Sequence, residues 1–153
     1  MHRQPYLHAG TTDIDVQVDL EIACGTRVGG VEQRATINVT GLGGYLLAKT
    51  AAARSRRKAK DWYDIAYVLM FNDAGGPTAA AAAVRRVLGP DTPGSVRTAL
   101  DDLADNFTNP SDQGPQAYAE QLVADHVDLD YGSLLVDAVT AVRTFHKTVT
   151  TGA

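Results

Sequence analysis

Residues 12–22 read Thr12-Asp13-Ile14-Asp15-Val16-Gln17-Val18-Asp19-Leu20-Glu21-Ile22 and alternate without a break. Ile14, Val16, Val18, Leu20 and Ile22 fall on one side, and Asp13, Asp15, Gln17, Asp19 and Glu21 on the other. A period of two predicts a half-buried β-strand. Its polar side is unusual, because all but Gln17 are carboxylates, and strands disfavour Asp. Asp13 and Asp15 project the same way, about 6–7 Å apart, a spacing at which two carboxylates clamp one or two Mg²⁺ ions. Asp19 lies about 20 Å further along the strand and cannot share an ion with Asp13. The plainer account is a solvated acidic strand face.

Working outward, residues 1–11 read as a short lead-in limited by Pro5 and Gly10. Residues 23–34 contain three glycines and read as a loop or irregular hairpin connection. Ala35 to Thr40 alternates around Ile37 and Val39 and predicts a second, shorter strand. Two strands are marginal in water, so helices are expected to cover their apolar face.

From Leu42 onward the pattern turns helical. The first helix is expected from about Gly43 to Arg56, with a stripe of Leu42, Tyr45, Leu46 and Ala53 that is interrupted by Lys49. An ammonium on an apolar stripe either snorkels to solvent or meets a partner such as Asp64 or a bound phosphate. The second helix, about Lys60 to Phe71, carries a clean face of Trp62, Ile65, Ala66 and Leu69. Pro77 suits the first turn of a third, whose alanine run Ala79–Ala83 has the highest helix propensity available. A fourth starts near Pro93 with Val96, Leu100, Leu103 and Phe107 on one face. A fifth carries Tyr118, Leu122 and Val123, and a last one Leu135, Ala138, Val139, Val142 and Phe145.

Composition bounds the chemistry. The 153 residues are 44% hydrophobic and 21% charged, as in soluble domains, and no apolar run approaches the ~20 residues of a membrane span. The first residues lack the apolar core of a secretory signal, and the one cysteine, Cys24, leaves no internal disulfide or cysteine-based zinc site. A cytoplasmic protein is the expectation. The four histidines share no metal-ligand spacing, and there is no P-loop, dinucleotide fingerprint or nucleophile elbow. A net charge of −4 argues against a surface that grips nucleic acid all round. Yet Arg54, Arg56, Arg57, Lys58 and Lys60 crowd into residues 54–60, ahead of Asp61 and Asp64, which share a helix face. The segment reads as a phosphate-binding arm or, more plainly, as charges complementing two helix termini.

These two stretches together carry a family resemblance. Asp13-Ile14-Asp15 on a strand, followed by residues 44–69 (GYLLAKTAAARSRRKAKDWYDIAYVL), resembles the AbiEii/AbiGii toxins, nucleotidyltransferase-like proteins of bacterial abortive-infection and toxin–antitoxin systems. The likeness spans about residues 7–71. It implies an α+β fold, with a small β-sheet remnant of a polymerase-β-like nucleotidyltransferase core in residues 1–41 and a helical bundle in residues 42–150. It implies that Asp13 and Asp15 are catalytic and hold Mg²⁺. It also implies that Lys49, Arg54, Lys60, Asp61 and Asp64 bind a nucleoside triphosphate, whose nucleotide passes to an RNA hydroxyl, tRNA among the candidates. A cognate antitoxin is an implied partner.

The family core expects a Gly-Ser turn before the D-x-D pair and a third carboxylate on a later strand. The twelve residues before Asp13 contain no Gly-Ser, and Glu32 is the one acid between Ile22 and Ala35. A shortened family member with an incomplete active site is therefore expected. The alternative is a non-enzymatic helical module that contacts nucleic acid or a partner protein through residues 54–60.

Overall fold

A computed structural model describes the backbone of residues 5–6, 16–21 and 34–151, and the side chains of residues 39–151. The expected α+β class does not hold: residues 39–151 are predominantly helical, at 76%, and the core is made by six helices. They are α1 (Leu42–Arg56), α2 (Ala59–Phe71), α3 (Pro77–Leu88), α4 (Gly94–Asp105), α5 (Gln113–Asp125) and α6 (Tyr131–Thr151). Three short backbone segments, β1 (Pro5–Tyr6), β2 (Val16–Glu21) and β3 (Arg34–Val39), pair antiparallel in that order.

Among the residues whose side chains are described, the packed core is drawn from the helices and from Phe107 beside α4. The reason for the correction is physical. Alternation fixes a local backbone conformation, whereas fold class follows where buried apolar area accumulates, and here that is between helices.

The centre of the bundle is α2, which packs against α1, α3, α5 and α6. Its face of Trp62, Ile65, Ala66 and Leu69 is fully buried. Trp62 meets Phe107, just beyond α4, edge to face at 6.2 Å between ring centroids and 69° between planes, a favourable aromatic geometry. Tyr118 of α5 stacks on Tyr63 at 6.1 Å. Ala138, Val142 and Phe145 of α6 close the core from the other side.

Two glycines let helices approach closely. A Cβ on Gly43 of α1 would lie 2.5 Å from the Ala83 carbonyl oxygen on α3, and one on Gly114 would lie 2.2 Å from the Phe107 ring. The alanine run of α3 completes that crossing, burying Ala80, Ala81 and Ala83 beside Val84. Thus α1 packs through Gly43, Leu46, Thr50 and Ala53. The expected stripe was rotated from this face: Leu42 and Tyr45 lie only partly buried at its edge.

The helix ends are fixed locally. Pro77 occupies the first turn of α3, where its missing N–H costs nothing. The Asn72 amide donates to the carbonyls of Val68, Leu69 and Gly76, finishing α2 and tethering the next connection. Asp130 accepts the Ser133 N–H at 2.8 Å ahead of α6, and hydrogen bonding from the Ser133 side chain, followed by that N–H, holds its carboxyl below the usual carboxylate range.

Only Arg57 and Lys58 separate α1 from α2. Arg57 caps α1 in the left-handed region (φ 53°), its N–H donating to the Ala53 carbonyl at 2.9 Å. Glycine is the usual residue there, and any other pays a steric cost. The Arg57 guanidinium instead reaches Asp102 of α4 at 2.6 Å.

Candidate functional site

The short α1–α2 corner turns two helices back on each other, and Lys49, Arg56, Lys60, Asp61 and Asp64 meet there. On α1, residues 45, 49 and 56 fall on one side, four and then seven residues apart, one and two helical turns. On α2, residues 60, 61 and 64 occupy the first two turns. The Lys49 ammonium donates to Asp64 Oδ2 at 2.6 Å and to Asp61 Oδ1 at 3.4 Å. The Arg56 guanidinium donates to the same Asp61 Oδ1 at 2.7 Å. Lys60 stands at the rim, 3.7 Å from Asp64 Oδ1 and 81% exposed. The Tyr45 ring lies 6.0 Å from the Lys49 ammonium.

Asp61 is buried, and its Oδ2 has no hydrogen-bond partner in the protein. Burial of a carboxylate is tolerated only with compensating charge, which Lys49 and Arg56 supply. The Lys49 pKa is raised, chiefly by the hydrogen bond to Asp64, with burial pulling the other way. Burial raises the Tyr45 pKa as well. The corner therefore holds three cations and two carboxylates, one excess positive charge, and one carboxylate oxygen still able to accept a hydrogen bond.

Of the residues expected to bind substrate, Lys49, Asp61 and Asp64 thus come together, with Lys60 beside them. Arg54 does not join them. Five positions beyond Lys49, it emerges about 140° round the helix and lines a cleft between α1 and α4. Asp13 and Asp15 lie outside the described residues. Among the described residues, no group of three His, Cys, Asp or Glu is placed to hold a metal ion. Asp61 and Asp64 fit a cation poorly, since ammonium and guanidinium groups already neutralise them.

The basic run 54–60 is less available than its composition implies. Arg56 is committed to Asp61 and Arg57 to Asp102. Two participants escape a reading of the sequence. Nothing local pairs Arg56 with Asp61 five residues on, across a helix break. Asp102, 45 residues from Arg57, carries no signal of its role. Tyr45 was legible as a stripe residue but not as a neighbour of the Lys49 charge.

Elsewhere, α2 exposes a ladder of aromatic rings: Tyr63 to Tyr67 at 5.7 Å and Tyr67 to Phe71 at 4.9 Å between centroids. Tyr67 and Phe71 are 42% and 60% exposed. Among the described residues, no helix is long and apolar enough to cross a membrane.

Comparison of the chain with protein-family profiles, curated proteins and solved structures finds no match.

Proposed function

We propose that the chain is a nucleotidyltransferase-like protein of the AbiEii toxin type, in which the α1–α2 corner handles the phosphates of a nucleoside triphosphate. One observation carries this reading. Across the sixteen positions from Lys49 to Asp64, the Lys49 ammonium reaches both motif carboxylates, Asp61 at 3.4 Å and Asp64 at 2.6 Å. Their convergence is what a preorganised electrostatic site needs, because charges fixed before substrate arrives cost no reorganisation when it reacts. In this reading Lys60, loosely held and exposed, swings from Asp64 onto a phosphate oxygen. Asp61 and Asp64 keep the Lys49 ammonium oriented and protonated. Mg²⁺ belongs to Asp13 and Asp15 and would neutralise phosphate charge there. The nucleotide passes to an RNA hydroxyl, with tRNA as the first acceptor to try, and a cognate antitoxin is the expected protein partner.

The test is label transfer from each of the four nucleoside triphosphates to bulk RNA in the presence of Mg²⁺. The expected result is transfer by the parent chain, abolished by Asp13→Ala/Asp15→Ala and reduced at least tenfold by Lys60→Gln, which leaves the buried pairs intact. Absence of transfer by the parent, with no triphosphate binding by calorimetry, would overturn the enzymatic reading. It would leave the corner as a structural ion-pair network.

The second reading, a non-enzymatic module that binds nucleic acid through residues 54–60, draws on the exposure of Arg54, Lys58 and Lys60. Its signature is an RNA affinity that falls steeply with salt, and whose slope flattens when Lys58 and Lys60 are neutralised.

A further inference from the structure

The face of α1 turned away from the corner borders a cleft of about 450 Å³, within the range of small-molecule sites. Leu47, Thr50, Ala51, Arg54 and Ser55 of α1 form one wall, and Ser95, Val96 and Ala99 of α4 the other. Among the described residues, no carboxylate lines it. We propose that this cleft binds a compact organic anion, a carboxylate or phosphate monoester carried on a short apolar body.

Three independent features support that chemistry. The first is the Thr50 hydroxyl. Thr50 is 2% exposed, and its Oγ1 has no hydrogen-bond partner in the protein. A threonine in mid-helix ordinarily bonds back to the carbonyl four residues earlier, as Thr140 and Thr148 do in α6. Thr50 does not, which leaves a buried hydroxyl without a partner in a residue of the cleft wall. The second is Arg54, which forms no ion pair among the described residues, unlike Arg56 and Arg57 next to it. A guanidinium at the rim of a cleft free of acids matches a carboxylate or phosphate bidentately. The third is the floor. Leu47 and Val96 are half-buried, Ala99 is buried, and with Ala51 they offer apolar surface to a ligand body next to the charged head. Ser95 adds a hydroxyl on the first turn of α4, where the amides have no partner within the helix.

The geometry orders the ligand. Its anionic head lies between Arg54 and the Ser55 and Ser95 hydroxyls, and its apolar body lies over Leu47, Ala51 and Val96. The site uses none of Lys49, Lys60, Asp61 or Asp64, so it stands or falls apart from nucleotide transfer.

Titration of the full chain with octanoate, phenyl phosphate and inorganic phosphate, followed by amide chemical shifts, tests the proposal. The expected result is saturable shifts confined to residues 47–55 and 94–99 with octanoate or phenyl phosphate. Octanoate alone would identify the head as carboxylate, and phenyl phosphate alone as a phosphate ester. Arg54→Gln should weaken the better probe about tenfold, and Ala51→Phe should abolish binding by filling the cleft while the shifts elsewhere stay native. No saturable shift with either organic probe, equal binding of inorganic phosphate, or an affinity unchanged in Arg54→Gln would overturn it.

Discussion

Helix α1 presents two polar faces that handle charge in opposite ways. On the side of α2, every cation has a carboxylate and the buried carboxylate has two cations. On the side of α4, Arg54 stands without an acid among the described residues and Thr50 buries a hydroxyl with no acceptor or donor. Both faces are built on the same 15-residue helix and differ only in what the neighbouring helix brings. The first face is self-neutralised, so its charges hold the bundle together. The second is left open, so its polar groups contribute nothing to the fold. Stability and binding are thereby read from different sides of one helix.

The largest expected effect breaks the first face. Asp61→Ala leaves Arg56 without its carboxylate and Lys49 with Asp64 alone, and should cost about 1.5–3 kcal/mol, the range for hydrogen bonds to charged groups, measured by urea unfolding. A loss below about 0.5 kcal/mol, the range of ordinary surface changes, would show the network to be energetically idle. Next, Lys49→Met keeps the stem and removes the ammonium, leaving Asp64 with only the loose Lys60. A loss of about 1–2 kcal/mol is expected.

The same pair of proteins gives a pH signature. The folded state raises the Lys49 pKa above its ordinary 10.5, so its stabilisation is complete below that value and is lost as pH rises through the folded pKa. Tyr118, whose phenol burial pushes up to about 12, acts in the same direction, because the unfolded chain ionises first. Stability of the parent should therefore fall between pH 10 and pH 12, and Lys49→Met should show a shallower fall. Parallel curves for the two proteins would contradict the Lys49 assignment.

The second face should respond with the opposite sign. Thr50→Val is nearly isosteric and removes a buried hydroxyl with no partner, so the free chain should gain about 1 kcal/mol. Smallest of all, Arg54→Gln should change unfolding by less than about 0.5 kcal/mol. Destabilisation by either substitution would show that the α4 side is satisfied after all, and would erase the contrast.

Legibility in the sequence followed the same division. The core face of α2 could be read because Trp62, Ile65, Ala66 and Leu69 are large, apolar and correctly spaced. The packing face of α1 could not, because Gly43 and Thr50 have no hydropathic signature, and their burial depends on α3 coming close at Ala83. The fold class was misread from residues 12–22, since their alternation describes one strand and says nothing about which elements enclose the core. At the corner, Lys49 was suspicious as a charge on an apolar stripe, and Asp64 was one of its two foreseen partners. The Arg56–Asp61 pair and the cleft were invisible. Each depends on a relation between helices that only packing creates.

The left-handed cap at Arg57 has a wider consequence. Its guanidinium is tied to Asp102 of α4, and α4 is also the far wall of the cleft that α1 opens. One tie between those walls is thus an ion pair with a half-exposed guanidinium, which dissolved salt screens over a Debye length of about 8 Å at 0.15 M. Ionic strength then acts at both ends of the same neighbourhood, on the ligand's attraction to Arg54 and on the Arg57–Asp102 tie beside it.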